Sequence, residues 1–327
     1  MKAVRKLFSN NKGIALITVI LIVSILVAVA LELNRSSRAD IYDAANISDG
    51  IKIIYIAKSG FYGGAALLAN SKNDYNTLRD DWAKTELLSQ KSVGLFSDGY
   101  FIVKVEDETG KIPLNKLVNG SEYNPYIKEI LIKLLNQPEF GLDEKKAAEI
   151  VDAIKDWIDA DDDITGDGAE NYYYASLNPP YTAKNAPFDC IEELLMVKGM
   201  TKELFAGTKE KQGLVQYVTA YGDGLININT APKMVLRALF PNVNAGLVEA
   251  IDEYRKNEKN DLSNSLWYQN VSGMSGVPIA AGLITVKSNY FKISSTGIMK
   301  NMQQTVNGVV KKSPDGKSFR IINWRQI

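Results

Sequence analysis

The chain has 327 residues, and its 38 basic and 38 acidic side chains give a formal net charge of zero at pH 7. It contains no histidine and one cysteine, which excludes histidine-dependent catalysis, histidine-ligated zinc and an intrachain disulfide. The charge shows no positive excess of the kind that electrostatic nucleic-acid binders carry. An exported domain without disulfides would gain from another stabilising device, such as a bound metal.

An apolar stretch, Ile14–Leu31, organises the N-terminal part of the chain, and only Thr18 and Ser24 interrupt it. As a helix it would be about 27 Å long, close to the thickness of the hydrocarbon core of a bilayer. Basic side chains and no acidic ones precede it, so this end is predicted to lie in the cytoplasm and the rest of the chain on the other side of the membrane. The basic residues are Lys2, Arg5, Lys6 and Lys12.

Three interpretations of this start remain open. The segment Ala28-Val29-Ala30 supplies the small-residue cleavage site of a secretory signal, although such signals have shorter apolar regions. An uncleaved signal anchor is the second interpretation. The third depends on the junction Lys12-Gly13-Ile14, where a basic leader meets the apolar stretch directly. This junction resembles the leader of type IV pilins and pseudopilins, which a prepilin peptidase cuts after glycine, here between Gly13 and Ile14.

The fifth residue after that junction is Thr18, where most pilin-like proteins carry glutamate. A carboxylate in such apolar surroundings is tolerated only when the N-terminal amine of a neighbouring subunit pairs with it. The first subunit of a filament has no earlier neighbour to supply that amine. Threonine at this position therefore predicts a subunit that can begin a filament.

The next part of the chain predicts a helix followed by a β-hairpin. The pattern of apolar and small residues continues the helix amphipathically to about residue 70. Residues 71–98 are polar and predict a loop with a short helix. Tyr100–Glu106 alternates in polarity, and a turn leads into Lys111–Leu117, which predicts a hairpin packed on the long helix.

From Asn124 the apolar period becomes helical. Asn124-Pro125 and Asp143 are predicted to start the first two helices, and two helix pairs follow around 189–207 and 231–256. These pairs resemble helix-hairpin-helix units, which often bind DNA phosphates through a Gly-x-Gly hairpin. Their hairpins have no paired glycines and no surrounding basic cluster, so packing or partner contact is expected in preference to DNA binding. The hairpins are Lys198-Gly199-Met200 and Pro241-Asn242-Val243.

The C-terminal part returns to β-structure. Tyr290–Thr296, Met302–Val310 and Phe319–Trp324 predict three strands, separated by turns at Gly297 and Pro314-Asp315-Gly316. A unit that begins with a helix and a hairpin and ends with three strands implies a sheet completed around an inserted helical domain.

The densest functional signal is the acidic loop Asp156–Glu170. Counting from Asp159 as position 1, carboxylates occupy loop positions 1, 3, 5, 9 and 12, which is the spacing of an EF-hand calcium loop. Position 6 is Ile164 where that loop needs glycine, so the pattern predicts an oxygen-only calcium site of another shape, with a solvated acidic turn as the alternative. Magnesium fits less well because it favours fewer protein ligands. The candidate ligands are Asp159, Asp161, Asp163, Asp167 and Glu170, and the nearest basic residues, Lys155 and Lys184, lie outside them.

Taken together, these parts resemble the minor pseudopilin K family of bacterial type II secretion systems. The resemblance covers nearly the whole chain and includes the leader, "DETGKIPLNKL", "IKDWIDADDDITGDGAENYYY", "NPPYTAKNAPFDCIEELLMVKGM", "LININTAP" and a β-rich end that contains Trp324. It implies a type IV pilin-like α+β fold, in which a long N-terminal helix packs on an antiparallel sheet, with a large helical domain inserted. It also implies calcium in the acidic loop, cleavage after Gly13 and N-methylation of Ile14.

The resemblance further implies a single-pass inner-membrane protein with a periplasmic C-terminal domain. The expected function is non-enzymatic: a subunit at the pseudopilus tip that begins or caps the filament with the I and J pseudopilins, contacts the major pseudopilin through them and is processed by prepilin peptidase. A membrane-anchored DNA-binding protein of a competence-type pilus is the alternative. The expected divisions are a leader at 1–13, the N-terminal helix at 14–70 with its membrane span at 14–31, pilin-like parts at 71–118 and 287–327, and the insertion at 119–286.

Overall fold

The computed structural model describes residues 11–71, 73–240, 243–280, 282–313, 316 and 318–327. Its α-helices are α1 (Asn11–Ala69), α2 (Glu86–Ser92), α3 (Pro125–Leu135), α4 (Glu144–Ile158), α5 (Asn171–Ala175), α6 (Lys202–Ala206), α7 (Lys233–Leu239) and α8 (Ala245–Lys256). Short 3-10 helices occur at Asp81–Ala83, Leu114–Lys116, Ile191–Met196, Leu214–Gln216 and Trp267–Asn270. The strands are β1 (Tyr100–Asp107), β2 (Ile112–Pro113), β3 (Val118–Asn119), β4 (Glu122–Tyr123), β5 (Val218–Thr219), β6 (Ile226–Asn227), β7 (Ile284–Thr285), β8 (Tyr290–Met299), β9 (Met302–Lys312) and β10 (Phe319–Gln326).

Helix α1 continues without a break from the apolar stretch into the folded body, as the sequence predicts. Its first half is exposed in this structure, whereas Ile53, Ala57 and Phe61 near its end are buried against the main sheet. Glycines permit this close packing, because a Cβ on Gly60 would lie 2.2 Å from the Ser295 hydroxyl oxygen.

The main sheet is antiparallel, with the strand order β1-β8-β9-β10. Alternation in β1 turns Phe101, Val103 and Val105 inward, and these side chains form the smaller core together with the end of α1. The three closing strands are confirmed at slightly greater length than predicted. The predicted turn residues Pro314 and Asp315 lie outside the described residues.

The predicted hairpin between residues 100–106 and 111–117 is wrong. Strand β1 pairs instead with β8, from Tyr100 opposite Ile298 to Asp107 opposite Phe291. The chain after β1 turns away from the sheet, and β2 pairs in parallel with β5. The reason is burial: the side chains of Ile112, Leu114 and Leu117 belong to the larger core, although the sequence analysis grouped them with the pilin-like part.

The larger core is formed by the part of the sequence that lies between β1 and β8, and its centre is made by α3, α4, α7 and α8. The predicted helix starts are confirmed, since the Asn124 side chain accepts from the amides of Tyr126 and Ile127, and Asp143 accepts from Lys146 at 2.8 Å. The first predicted helix pair begins with a 3-10 helix rather than an α-helix. Two residues of the second hairpin, Pro241 and Asn242, lie outside the described residues.

A buried polar junction joins the two cores at the end of β1. Asp107 Oδ2 accepts from the hydroxyls of Thr230 and Ser288, both at 2.5 Å, and from Asn227 Nδ2 at 3.3 Å. Its Oδ1 accepts from the amide of Thr109 at 2.8 Å. These donors come from distant parts of the chain, so one carboxylate fixes the relative position of the sheet and the larger core.

Candidate metal centre

Three carboxylates converge where α4 ends and the acidic loop returns to α5. Asp156 lies in the last turn of α4, Asp159 directly follows that helix, and Glu170 directly precedes α5. One oxygen from each lies within 4.8 Å of the others, and the residues are 0%, 1% and 2% exposed. We call Asp156, Asp159 and Glu170 the carboxylate cluster.

Aromatic packing and glycines hold the cluster in place. Trp157, which follows Asp156, packs edge-on against Tyr174 of α5 with ring centroids 5.1 Å apart, and this contact ties the two helices together. The loop passes closely over the carboxylates because Gly168 has no side chain: a Cβ there would lie 2.0 Å from Asp156 Oδ2.

The hydrogen bonding of the cluster is incomplete. The amide of Thr165 donates to both oxygens of Asp156, at 3.1 and 3.2 Å, and the Lys155 ammonium donates to Asp159 Oδ2. Asp159 Oδ1 and both oxygens of Glu170 are buried without a hydrogen-bond partner among the described residues. Buried carboxylate oxygens normally have partners, and these hard, oxygen-only donors are those that Ca²⁺ takes. The cluster therefore fits a bound calcium ion.

The electrostatics of the cluster lead to the same conclusion. Burial, and then the neighbouring charges of Asp156 and Asp159, raise the pKa of Glu170 to about 8. Burial also raises the pKa of Asp156 and of Asp159, although Lys155 opposes the shift at Asp159. The three groups repel one another as anions, and a divalent cation between them would remove this repulsion.

Of the five ligands predicted from the sequence, the structure brings Asp159 and Glu170 together. Asp161 is half-buried, and its Oδ1 accepts from the amide of Asp163 at 3.1 Å. Asp163 and Asp167 are exposed. These three residues lie outside the carboxylate cluster, because the loop turns at Thr165–Gly168 and does not wrap a central ion in the manner of an EF-hand.

Two residues outside the predicted ligand set belong to the site: Asp156 is a further candidate ligand, and Lys155 is an internal cation. The signal for Asp156 was its spacing of three residues from Asp159, which places both side chains on one face of α4. Lys155 lies four residues before Asp159 and reaches it by the same geometry. The other basic residue near the loop, Lys184, pairs with Asp189 and Glu193 instead.

The first of the helix-hairpin-helix-like units is used to support the acidic loop. Lys198, the basic residue of its hairpin, donates to the carbonyl oxygens of Asp167 and Gly168, both at 3.0 Å. Its amide also donates to the Tyr174 hydroxyl at 3.2 Å. Lys198 is thus engaged within the protein.

The predicted processing and filament positions lie at the start of α1. Gly13 and Ile14 are exposed within the helix, and the Thr18 hydroxyl donates to the Ile14 carbonyl at 2.9 Å. Among the described residues α1 is the one helix long and apolar enough to cross a membrane. Most of the predicted leader, residues 1–10, lies outside the described residues.

Comparison with known proteins finds similar chains in type II secretion systems. Residues 110–222 match the family model described as type II secretion system (T2SS), protein K. The chain is 27% identical to the type II secretion system protein K of Pseudomonas aeruginosa over 322 residues, covering 94% of this chain and 91% of the relative. Identity to the Aeromonas hydrophila protein K is also 27%, over 93% and 94% of the two chains. The Klebsiella pneumoniae protein K is 25% identical over 97% and 96%. Over nearly its whole length, the chain is thus similar to type II secretion system protein K.

A solved structure shares the fold. A chain in the crystal structure of the GspK-GspI-GspJ complex from the enterotoxigenic Escherichia coli type 2 secretion system matches with a TM-score of 0.68 at 19% identity. The match covers 87% of this protein and 99% of that chain. The predicted pilin-like α+β fold is therefore confirmed. The residues matched by the protein K family model contain the whole carboxylate cluster.

Proposed function

We propose that this protein is a minor pseudopilin at the tip of the type II secretion pseudopilus, where it begins or caps the filament that exports folded proteins. Its partners would be the I and J minor pseudopilins and, through them, the major pseudopilin. The family supports this role, and so does the solved GspK-GspI-GspJ complex whose chain shares this fold. The observation that carries the proposal is an unpaired apolar face on α1.

That face, the apolar stripe, follows the membrane-spanning stretch. Its six side chains are each more than half exposed and, at about 100° per residue, fall within about 120° of the helix circumference. Exposed Ser37, Asp40 and Ser48 share this sector, so the stripe is interrupted by polar positions. They lie opposite Ile53, Ala57 and Phe61, which pack on the sheet. A stripe of this width on a helix predicts packing against other helices. The residues of the apolar stripe are Leu33, Ile41, Ile47, Ile51, Tyr55 and Tyr62.

The assembly test is co-purification with the I- and J-type pseudopilins of the same organism. Ile47→Lys together with Ile51→Lys should reduce recovery of both partners by about tenfold or more, because two apolar side chains contribute about 3 kcal/mol or more on burial. Tyr42→Lys is the matched control, since Tyr42 is equally exposed on α1 but lies off the stripe. Equal recovery with all variants would contradict helix-mediated assembly.

A second test is physiological. A strain lacking this protein should form few surface pseudopili and retain its exported proteins in the periplasm. The wild-type gene should restore both, and the stripe variant should restore neither. Normal export in the deletion strain would contradict the proposed role.

The processing proposal concerns Gly13 and Ile14. The prepilin peptidase would cut between them in the inner membrane and the new N-terminus would be methylated, with the C-terminal domain in the periplasm. Mass spectrometry of the mature protein should therefore find a chain that begins at methylated Ile14. A chain that begins at Leu31, after Ala30, would indicate signal peptidase instead.

For the metal centre, we propose that Asp156, Asp159 and Glu170 hold a calcium ion. The ion would supply the positive charge that this buried, partly unpartnered cluster lacks, and so stabilise the larger core. A cation that binds the folded state only adds about 2.7 kcal/mol at a hundredfold excess over its Kd. The detergent-solubilised full chain should therefore melt at a higher temperature with calcium than with a chelator, and magnesium should substitute poorly.

Variants distinguish this cluster from a general acidic surface. Asp159→Asn should abolish the calcium-dependent rise in melting temperature, whereas Asp161→Asn should keep most of it, because Asp161 lies outside the cluster. A melting temperature that does not respond to calcium or chelator would remove calcium from the proposal. The pseudopilin role would still stand on the assembly test.

A further inference from the structure

Lys155 places a buried positive charge beside the carboxylate cluster. Its side chain is 7% exposed, and the ammonium bonds to Asp159 Oδ2 and, at 2.8 Å, to the Thr165 hydroxyl. The ring of Tyr123 faces it with its centroid 5.6 Å away. These contacts hold the ammonium on one oxygen of Asp159 and leave the other, Oδ1, buried without a partner.

The ammonium changes the charge that a bound cation meets. Asp156, Asp159 and Glu170 contribute three negative charges when ionised, and Lys155 reduces the sum to two. The ammonium is held in place by its ion pair with Asp159 and its hydrogen bond to Thr165, so its positive charge lies directly beside the cluster. Nearby Asp152 is paired separately, with the Tyr123 hydroxyl and with Lys128 at 3.6 Å.

The geometry points to Lys155 as a resident counter-ion that matches the cluster to a divalent cation. A divalent ion neutralises the cluster together with Lys155, whereas a trivalent ion leaves one uncompensated positive charge in a buried site. Lys155 also replaces part of the cation when none is bound, so the larger core can fold before metal arrives. This inference rests on the proposed calcium site.

The test compares Ca²⁺ with Tb³⁺, an oxygen-seeking trivalent ion, on the detergent-solubilised full chain. Terbium emission excited through Trp157, which adjoins Asp156, reports Tb³⁺ binding and gives the terbium Kd. Displacement of Tb³⁺ by calcium gives the calcium Kd. In Lys155→Met the ratio of the calcium Kd to the terbium Kd should rise by about tenfold or more, because the extra charge of Tb³⁺ no longer meets the ammonium. A loss of Asp159 positioning alone would weaken both ions and leave this ratio unchanged.

Lys128→Met is the matched control, since Lys128 faces Asp152 rather than the cluster, and its ratio should equal that of the wild type. Lys155→Gln, which keeps a donor for Asp159 without the charge, should behave as Lys155→Met does. An unchanged ratio in both neutral variants would overturn the inference, as would failure of both to fold even when saturated with Tb³⁺. Absence of calcium binding by the wild type would instead reject the calcium proposal itself.

Discussion

Two sites in the protein are buried and acidic: the polar junction between the two cores, and the carboxylate cluster. They differ in whether their carboxylate oxygens have hydrogen-bond partners. At the junction, Asp107 accepts four hydrogen bonds. The adjacent Glu108 accepts hydrogen bonds from the Lys111 ammonium at 2.6 Å and from the Thr219 hydroxyl. In the cluster, three of the six carboxylate oxygens are buried without a partner in the part of the chain that the structure describes.

The carboxylate oxygens of the junction are satisfied by the chain's own donors, whereas half of those in the cluster are not. A buried carboxylate whose lone pairs are satisfied by the chain's own donors needs nothing from outside. A buried carboxylate without donors is costly until a cation or a proton arrives. The junction can therefore hold the two cores together with or without a metal ion, whereas the stability of the cluster should depend on the metal.

The largest expected effect is at the junction. Asp107→Asn should lower the free energy of unfolding by about 3 kcal/mol, because an amide group replaces an acceptor oxygen that faces donors on every side. Denaturant unfolding of the detergent-solubilised chain measures the loss, which should be the same in calcium and in chelator. The neighbouring Glu106→Gln, on the solvent side of β1, should change the free energy by less than about 0.5 kcal/mol.

In the carboxylate cluster, the same kind of substitution should change the free energy of unfolding in the opposite direction when no metal is present. In chelator at neutral pH, Glu170→Gln should raise the free energy of unfolding by about 1 kcal/mol, because the buried glutamate must take up a proton on folding whereas the amide is already neutral. In calcium it should lower stability relative to the wild type, since a ligand is lost. A Glu170→Gln variant that is destabilised equally in both conditions would end the distinction between the two sites.

The pH dependence of the chelated protein follows from Glu170. Its pKa is about 8 in the folded, cation-free protein and near its ordinary value of 4.5 in the unfolded chain. The folded state therefore binds more protons between these values, and stability should fall as pH rises from about 4.5 to 8. Thermal melts in chelator should show a shallower fall for Glu170→Gln than for the wild type, and saturating calcium should remove the difference in slope.

The smallest effect is expected at Thr18, the position where most pilin-like proteins carry glutamate. Thr18→Glu would place an acidic group in the apolar stretch of α1 that we propose to span the membrane, where the native hydroxyl donates to the Ile14 carbonyl. If this subunit leads the filament, no earlier amine pairs with the new group. Counts of surface pseudopili should then stay equal or fall, with Thr18→Ser as the control. More pseudopili with Thr18→Glu than with threonine would exclude the leading position.

Features that depend on neighbouring residues could be predicted from the sequence. The apolar run from Ile14 predicted α1, side-chain acceptors at Asn124 and Asp143 predicted the starts of α3 and α4, and alternation predicted the closing strands. Each signal acts over a few residues, through helical or strand period and through capping. The density of carboxylates likewise marked the acidic loop as the place to look for a cation.

Contacts between residues that are distant in the sequence could be read only from the tertiary structure. Alternation in Tyr100–Glu106 is the same whether β1 pairs with the next segment or with β8, about 190 residues later, so burial of Ile112 and Leu114 in the larger core settled the pairing. The acidic loop offered many carboxylates at similar spacing, and the end of α4 together with the turn at Gly168 selected three of them. Loop spacing does not fix which oxygens become buried, because burial depends on the packing of Trp157 and Tyr174 around them.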